Sequence, residues 1–244
     1  MKLTDLKKTA SAAAFGSALW LAGPAGTASA DATPDCNTGD VDATSLECGV
    51  GANADGEDAY AAGTDASATG TSTTAVGGEA VANGTAATAF GWQSSATAER
   101  AHAIGHLASA SGVRSLAVGE AATAMGLESI AQGNEASATG ADAIAVGTTT
   151  VANGNSTTVV GGEATADGTA ATAYGWQSAA TAERAHAFGH LANASGVRAL
   201  AVGEAASASG DNATAIGKRE ATTVLKTKRR MISESGIPII SALI

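Results

Sequence analysis

The sequence predicts an all-β protein built as a parallel β-roll, a solenoid of 14-residue coils with two short strands in each coil. Three observations predict it. Stepping by seven from Gly56 to Gly217 meets glycine at 22 of 24 positions. The residues before each of these positions alternate as Ala-x-Ala-x-Gly, and a period of two is typical of a strand. Alternate units carry apolar and then polar side chains just before the glycine, so the full repeat is 14 residues.

Residues 1–30 have the pattern of a secretory signal peptide. Three lysines give a positive start, a short stretch of small and apolar residues follows, and Ala-Ser-Ala at 28–30 is an A-x-A cleavage pattern. The apolar stretch is too short to span a bilayer as a helix. We therefore expect an exported protein whose mature chain begins near Asp31.

Residues 31–55 are expected to form an N-terminal cap on the roll. They contain the only two cysteines of the chain, Cys36 and Cys48. In an exported protein, two cysteines this close most simply form one disulfide. Closing a loop of that size stabilises a fold by about 3 kcal/mol. Two free thiols are the alternative interpretation.

Residues 56–217 carry the repeat and are expected to form the roll. A coiled coil also has a seven-residue period, but its core needs large apolar residues at two positions of every heptad. Here Ala lies two residues before each register position except at Val159, and Ala, Ser or Thr lies four residues before. These small side chains are expected to fill a narrow interior, and Ala98 and Ala182 replace glycine at two modified turns. Stacking roughly twelve coils at about 4.8 Å each would give a rod of about 55–60 Å.

The apolar residues of alternate units are expected to lie outward on one strand of each coil. A continuous apolar stripe of this length indicates an interface, so we expect this side to pack against identical rolls. One rung departs from the pattern, because Met125 occupies a polar position and Gln132 an apolar one, with Ile130 nearby on the same face. The predicted interface residues are Val76, Phe90, Ile104, Val118, Val146, Val160, Tyr174, Phe188, Val202 and Ile216.

The units "SLAVGEAATAMG", "ADAIAVGTTTVANG" and "ALAVGEAASASG" closely resemble the head repeats of trimeric autotransporter adhesins of Gram-negative bacteria, the YadA-like head. The resemblance covers about 56–217. It implies a left-handed parallel β-roll, three copies of which assemble through their apolar faces into an adhesive head exposed at the outer membrane. The interface residues above would then be trimer contacts.

Members of that family continue from the head into a neck, a coiled-coil stalk and a membrane-anchor barrel. Residues 218–244 show neither sustained heptads nor a set of ten-residue amphipathic strands. The sequence therefore predicts a basic tail that is disordered or truncated. Release from the cell as a secreted protein is the alternative to anchoring at the surface.

The sequence also contains an internal duplication that is longer than one coil. Residues 71–126 match 155–210 at an offset of 84, with 45 of 56 positions identical. The offset equals six coils, so the added copy keeps the stacking phase. The duplicated segment holds the residues that could bind a ligand or an ion, which are Trp92, Glu99, Arg100, His102 and His106 and their copies Trp176, Glu183, Arg184, His186 and His190.

His102 and His186 are expected to point outward on the interface strand. On a helix, the four-residue spacing of His102 and His106 would place both imidazoles on one face, but here Gly105 ends the strand between them, so that metal-site geometry is not expected. Three copies of His102 around a threefold axis could hold an ion, but the favoured role is structural, and no metal or cofactor is predicted. Trp92 and Trp176 follow a glycine at a turn, where a tryptophan either covers the neighbouring coil or anchors a ligand. Each Glu–Arg pair is interpreted as a surface or inter-subunit ion pair.

Charge and motif content exclude several classes of function. Between 31 and 217 the chain has 20 Asp and Glu against four Lys and Arg, which argues against a nucleic-acid partner. No catalytic triad, phosphate-binding loop, zinc spacing or calcium nonapeptide is present, so we do not expect an enzyme. The favoured function is an adhesin head that binds extracellular matrix, host cells or other bacteria. A structural spacer or self-assembling secreted rod is the alternative, and an ice-binding surface is disfavoured because the polar positions mix Thr, Ser, Asn and Asp.

Overall fold

The protein is described from a computed structural model, in which residues 36–38, 43–217 and 221–222 are described. The expected signal peptide, 1–30, lies outside the described residues, as does nearly all of the expected basic tail at 218–244. Every regular element in the described part is a β-strand. No helix in that part is long and apolar enough to cross a membrane.

Short strands of two alternating lengths make up the described chain. The three-residue strands are β1 (Cys36–Thr38), β2 (Leu46–Cys48), β3 (Tyr60–Ala62), β5 (Thr74–Val76), β7 (Thr88–Phe90), β9 (His102–Ile104), β11 (Leu116–Val118), β13 (Ile130–Gln132), β15 (Ile144–Val146), β17 (Thr158–Val160), β19 (Thr172–Tyr174), β21 (His186–Phe188), β23 (Leu200–Val202) and β25 (Thr214–Ile216). The two-residue strands are β4 (Ser67–Ala68), β6 (Val81–Ala82), β8 (Ser95–Ala96), β10 (Ser109–Ala110), β12 (Thr123–Ala124), β14 (Ser137–Ala138), β16 (Val151–Ala152), β18 (Thr165–Ala166), β20 (Ala179–Ala180), β22 (Asn193–Ala194), β24 (Ser207–Ala208) and β26 (Ala221–Thr222).

These strands form two sheets, and each 14-residue coil contributes one strand to each sheet. The first sheet holds all three-residue strands, and the second sheet holds all two-residue strands. Neighbouring strands from β2 onward are parallel and offset by 14 residues, as in Leu116, which lies between His102 and Ile130. The prediction of a parallel β-roll with 14-residue coils is therefore confirmed.

The pairing extends beyond 56–217, the range over which the roll is predicted. At the N-terminal end, Leu46–Cys48 pairs in parallel with Tyr60–Ala62. The glycine register also continues there, because Gly49 follows β2 with a φ of 128°. At the other end, Ala221–Thr222 pairs with Ser207–Ala208 of the second sheet. A strand pair needs only an extended backbone of matching register.

The interior of the roll consists of small side chains from both sheets. Alanines two and four residues before each register position are fully buried, as in Ala101 and Ala103 on one side of a coil and Ala108 and Ala110 on the other. Val159 is the largest fully buried side chain. Where the interior holds a hydroxyl, it usually donates to the carbonyl three residues earlier, as Ser94 Oγ does to Gly91 at 2.9 Å. The interior is thus narrow because two backbones approach to the distance that alanine permits.

The N-terminal end of this interior is closed by a different set of residues. β1 and β2 pair antiparallel, with Cys36 opposite Cys48, and a disulfide joins the two cysteines. Glu47 occupies the register position of Ala61 and is almost fully buried. Its Oε1 accepts a hydrogen bond from the Ala54 amide at 2.8 Å. The carboxylate lies where the other coils have alanine and meets a backbone donor at the end of the stack.

Two columns of turns run along the edges of the roll. We call the turns that follow first-sheet strands edge A, as in Gly91–Ser94, and the turns that follow second-sheet strands edge B, as in Ala98–Ala101. Most turns close through an amide-to-carbonyl bond between their fourth and first residues, at 3.3 Å for Ser94 to Gly91 and 3.1 Å for Ala101 to Ala98. The third residue of every such turn is in the left-handed region, with φ of 70° at Gly51 and between 52° and 59° in all later turns up to Asn212. A β-turn with positive φ at that place is compatible with short, tight reversal of the chain.

The two edges differ in what they require of their first residue. Glycines that begin edge A turns have φ between 124° and 138°, a region that is essentially restricted to glycine. Glycines that begin edge B turns do not have positive φ. Both exceptions, Ala98 and Ala182, begin edge B turns. The φ explains why alanine is absent from edge A, whereas on edge B a Cβ has the allowed φ but still requires the next coil to move aside.

We expect Gly161→Ala to lower the free energy of unfolding by at least about 1–3 kcal/mol, the cost of such a backbone conformation for a residue with a Cβ. The new Cβ would also lie 2.6 Å from the carbonyl carbon and oxygen of Gly175 in the next coil. The matched control, Ala182→Gly, restores the residue usual in that edge B column and should change stability by less than about 1 kcal/mol. Urea unfolding followed by circular dichroism measures both. Equal losses in the two variants would show that φ does not distinguish the edges.

Candidate interaction surfaces

The outward face of the first sheet carries one continuous apolar column. The ten predicted interface residues are all third residues of first-sheet strands, and consecutive members lie opposite each other, as in Val76, Phe90 and Ile104. Gln132 is the one member of the column between Val76 and Ile216 that is not apolar. Phe90 remains 54% exposed in the single chain, and the rings of Tyr174 and Phe188 stack at a centroid distance of 5.8 Å. This is a large apolar surface that the chain does not cover itself.

A second column on the same face was recognised by the sequence analysis only in part, through Ile130 and the two histidines His102 and His186. The first residue of each first-sheet strand also points outward, and Leu116, Ile130, Ile144 and Leu200 add apolar area there. The signal was present in the sequence, since these residues lie two positions before the predicted column. Ile130 and Gln132 are the outward residues of β13, so Ile130 keeps this rung partly apolar where Gln132 departs from the pattern.

The four histidines lie at two kinds of position. His102 lies outward on β9 between Thr88 and Leu116, and His186 has the corresponding place on β21, 6.4 Å from the Phe188 ring centroid. His106 and His190 lie on edge A instead. Within the described residues of one chain, no group of three or more His, Cys, Asp or Glu side chains is arranged to hold a metal ion.

Edge A carries a ladder of stacked and hydrogen-bonded side chains at 14-residue spacing. The Trp92 and His106 rings stack with centroids 5.0 Å apart and planes 16° from parallel. His106 Nδ1 lies 3.5 Å from Glu120 Oε1, and Asn134 Nδ2 donates to Glu120 Oε2 at 3.3 Å. The opposite side of Trp92 lies against Gly78, where an added Cβ would be 3.1 Å from the indole. Trp92 therefore covers neighbouring coils and is still 47% exposed.

The duplicated copy repeats this ladder closely. Trp176 and His190 stack at 4.9 Å, and Gly162 lies beside Trp176 as Gly78 lies beside Trp92. The adjacent column also repeats, because Gln93 donates to Glu79 at 2.7 Å and Gln177 donates to Glu163 at 2.6 Å. The sequence analysis did not pair Trp92 with His106, although their 14-residue separation is the length of one coil.

Edge B holds all four basic residues found between 31 and 217. Arg100 and Arg114 occupy one column in consecutive coils, and Arg184 and Arg198 repeat them 84 residues later. Each of these arginines has one exposed carboxylate or amide side chain as its partner. The partners are Glu99 for Arg100 at 3.8 Å, Glu128 for Arg114, Glu183 for Arg184 at 3.4 Å and Asn212 for Arg198 at 2.9 Å. Such exposed pairs contribute little stability by themselves.

The outward face of the second sheet is different in character. Its strands present small residues, such as Ser95, Ser109 and Thr123, and a polar residue follows each strand from β4 to β24 except β12, which Met125 follows. Some of these polar residues form ladders, as in Thr139 to Asn153 at 3.0 Å and Asn153 to Asp167 at 2.8 Å. This face can remain in water, in contrast to the first-sheet face.

The geometry agrees with a comparison to known protein families. The family model for the YadA head domain repeat, which describes two copies of the repeat, matches the chain at 54–80, 82–108, 96–122, 110–127, 124–150, 152–178, 180–203 and 194–219. These matches cover more than half of the chain. The chain belongs to the YadA head-repeat family.

Membership of the YadA head-repeat family confirms the resemblance seen in the sequence. Heads of this family are extracellular surface adhesins, and the family is structural and adhesive in character rather than enzymatic. No curated protein matches the chain in a sequence search.

Proposed function

We propose that this chain forms the head of a homotrimeric adhesin on the surface of a Gram-negative bacterium, which binds extracellular matrix, host cells or other bacteria. The observation that carries the proposal is the apolar first-sheet face. It runs in one register from Val76 to Ile216, and a single chain leaves it uncovered. Three rolls that turn this face inward remove it from water.

The assembly leaves the second-sheet face of each roll outward. This face offers hydroxyl, amide and carboxylate groups in repeated columns, such as Thr69 donating to Asn83 at 2.9 Å. A partner that is itself long and repetitive, such as a matrix protein, can contact several coils of all three rolls at once. Binding at several equivalent places raises the apparent affinity without stronger individual contacts.

In the trimer, His102 and His186 lie on the inward face beside apolar neighbours. His102 has Leu116 opposite it, and His186 has Leu200. We assign both a packing role at the subunit contact and propose no metal there.

Light scattering of the purified chain, followed by binding to immobilised collagen, fibronectin and laminin, tests the proposal. We expect a trimer that binds at least one matrix protein, and weaker binding by a monomeric variant of the same chain. A monomeric wild-type chain would contradict the trimer. A trimer that binds neither matrix proteins, host cells nor other bacteria would leave the spacer function.

A further inference from the structure

Because of the internal duplication, one molecule contains two copies of the same surface, and their residues can be compared position by position. Six of the eight outward positions of the second sheet between 81 and 125 differ from their copies. On edge A, all eight residues at the second and third turn positions between 78 and 121 are identical to their copies. On edge B, seven of the eight between 71 and 114 are identical, and Thr71 is the exception. The two copies have therefore diverged on the second-sheet face while both edges kept their side chains.

Each edge has an exposed patch that combines apolar and charged groups. The edge A patch consists of Trp92, His106, Leu107 and Glu120, with Trp92 47% and Leu107 42% exposed. Exposed leucine and tryptophan on a turn are unfavourable in water unless something covers them. The ladder within edge A joins these side chains but leaves Leu107 uncovered.

The edge B patch consists of Glu99, Arg100, Val113 and Arg114. Val113 is 37% exposed, and the ion pairs of the two arginines are also exposed. In the described turns up to Gly217, edge A has acidic side chains and no Lys or Arg, whereas edge B carries the four arginines together with acidic residues such as Glu99 and Glu128. Glu120 of the edge A patch and the two arginines of the edge B patch are opposite in charge, while each arginine also has a carboxylate partner in its own chain, and both patches present an aliphatic side chain.

A threefold assembly places these two edges against each other. In a cyclic trimer the contact is heterologous, so one edge of a roll always faces the other edge of the next roll. A pure rotation has no shift along the axis, so residues meet at the same height. Edge A and edge B alternate every seven residues along the chain, which puts Glu99 midway in height between Trp92 and His106. By the same spacing, Val113 lies between Leu107 and Glu120 in height.

We infer that the edge A patch of one protomer packs against the edge B patch of the next, as a seam that fixes the axial register of the proposed trimer. Leu107 contacts Val113, Glu120 pairs with Arg114, and the Trp92–His106 stack flanks Arg100 in a cation–π arrangement. The copies build a second seam six coils along the rod, with Leu191 against Val197 and Glu204 near Arg198. A smooth apolar column alone lets rolls slide by one coil, because each coil resembles the next. Two patches at fixed heights remove that freedom.

Disulfide trapping in the full chain tests the seam. Leu107→Cys combined with Val113→Cys should form a covalent trimer on a non-reducing gel, because each protomer links to the next around the ring. Each single variant should stay uncross-linked, and a reducing agent should return the double variant to monomers. The two positions lie on opposite edges of one roll, so they do not link within a chain. Both side chains are exposed, and circular dichroism checks that the fold is kept.

The matched control is Leu107→Cys with Val197→Cys, which uses the same column of edge B about 29 Å further along the rod. We expect no covalent trimer from this pair. A chain that is trimeric by light scattering but forms no link in the first variant, or links equally in both, would overturn the seam and leave the proposed trimer standing. A monomeric chain would overturn both, since the seam rests on the trimer.

Discussion

Replacing Val146 with glutamate is expected to abolish the trimer, whereas the same replacement at Val151 is expected to leave it intact. Both residues are half-buried valines on strands of one coil, but Val146 faces outward on the first sheet and Val151 on the second. In the proposed trimer, Val146→Glu brings three carboxylates to the axis. Removing an ion from water costs several kcal/mol even after the structure relaxes.

Analytical ultracentrifugation at micromolar concentration measures this difference. The expected result is a monomer for Val146→Glu and a trimer for Val151→Glu and the wild type. Since the first-sheet face is exposed in the single chain, circular dichroism should show an unchanged β-roll in both variants. If Val151→Glu dissociated the trimer and Val146→Glu did not, the second sheet would be the interface.

Replacing Ala180 with leucine is expected to lower the free energy of unfolding by about 1–3 kcal/mol or more, because extra methylenes overfill a tightly packed interior. Ala180 is fully buried between the two sheets. Its neighbour on the same strand, Ala179, points outward, so Ala179→Leu should change stability by less than about 0.5 kcal/mol. The two variants differ only in which side of one strand receives the leucine.

Chemical unfolding monitored by circular dichroism compares them, with light scattering to confirm the same oligomeric state. The loss from Ala180→Leu should spread to neighbouring coils, because each coil of a solenoid is stabilised by the coils beside it. Equal effects at both positions would mean that the interior has room for larger side chains.

Much of the fold could be predicted because every coil must meet the same requirements for strand alternation, turn conformation and interior side-chain size. A register of glycine every seven residues, with alanine two residues before it, allows one extended strand and one tight turn per unit. The interior positions and the apolar column from Val76 to Ile216 follow from strand alternation alone. The side chains inside must be small because every coil has the same width.

The surfaces were less predictable, since they depend on which residues meet across coils and chains. The sequence analysis treated Trp92 and His106 as separate candidates, and the fold brings their rings together. It also missed Leu116, Ile144 and Leu200, which widen the apolar face. The Trp92–His106 contact joins residues 14 apart, so alternation within a strand does not reveal it, whereas the three apolar residues lie two positions before the predicted column and follow from alternation.

By itself, the sequence determined the repeat length, the small-residue interior, the apolar outward column and the family. Those features are local, because strand alternation and turn chemistry act over a few residues. Only the tertiary structure decided why alanine replaces glycine on edge B alone, since the φ of a turn depends on how the next coil packs against it. It also decided that Trp92, His106 and their copies lie on one edge, whereas the four arginines between 31 and 217 lie on the opposite edge. Stacking fixes the distance between coils, and this distance makes neighbours of residues that are remote in the chain.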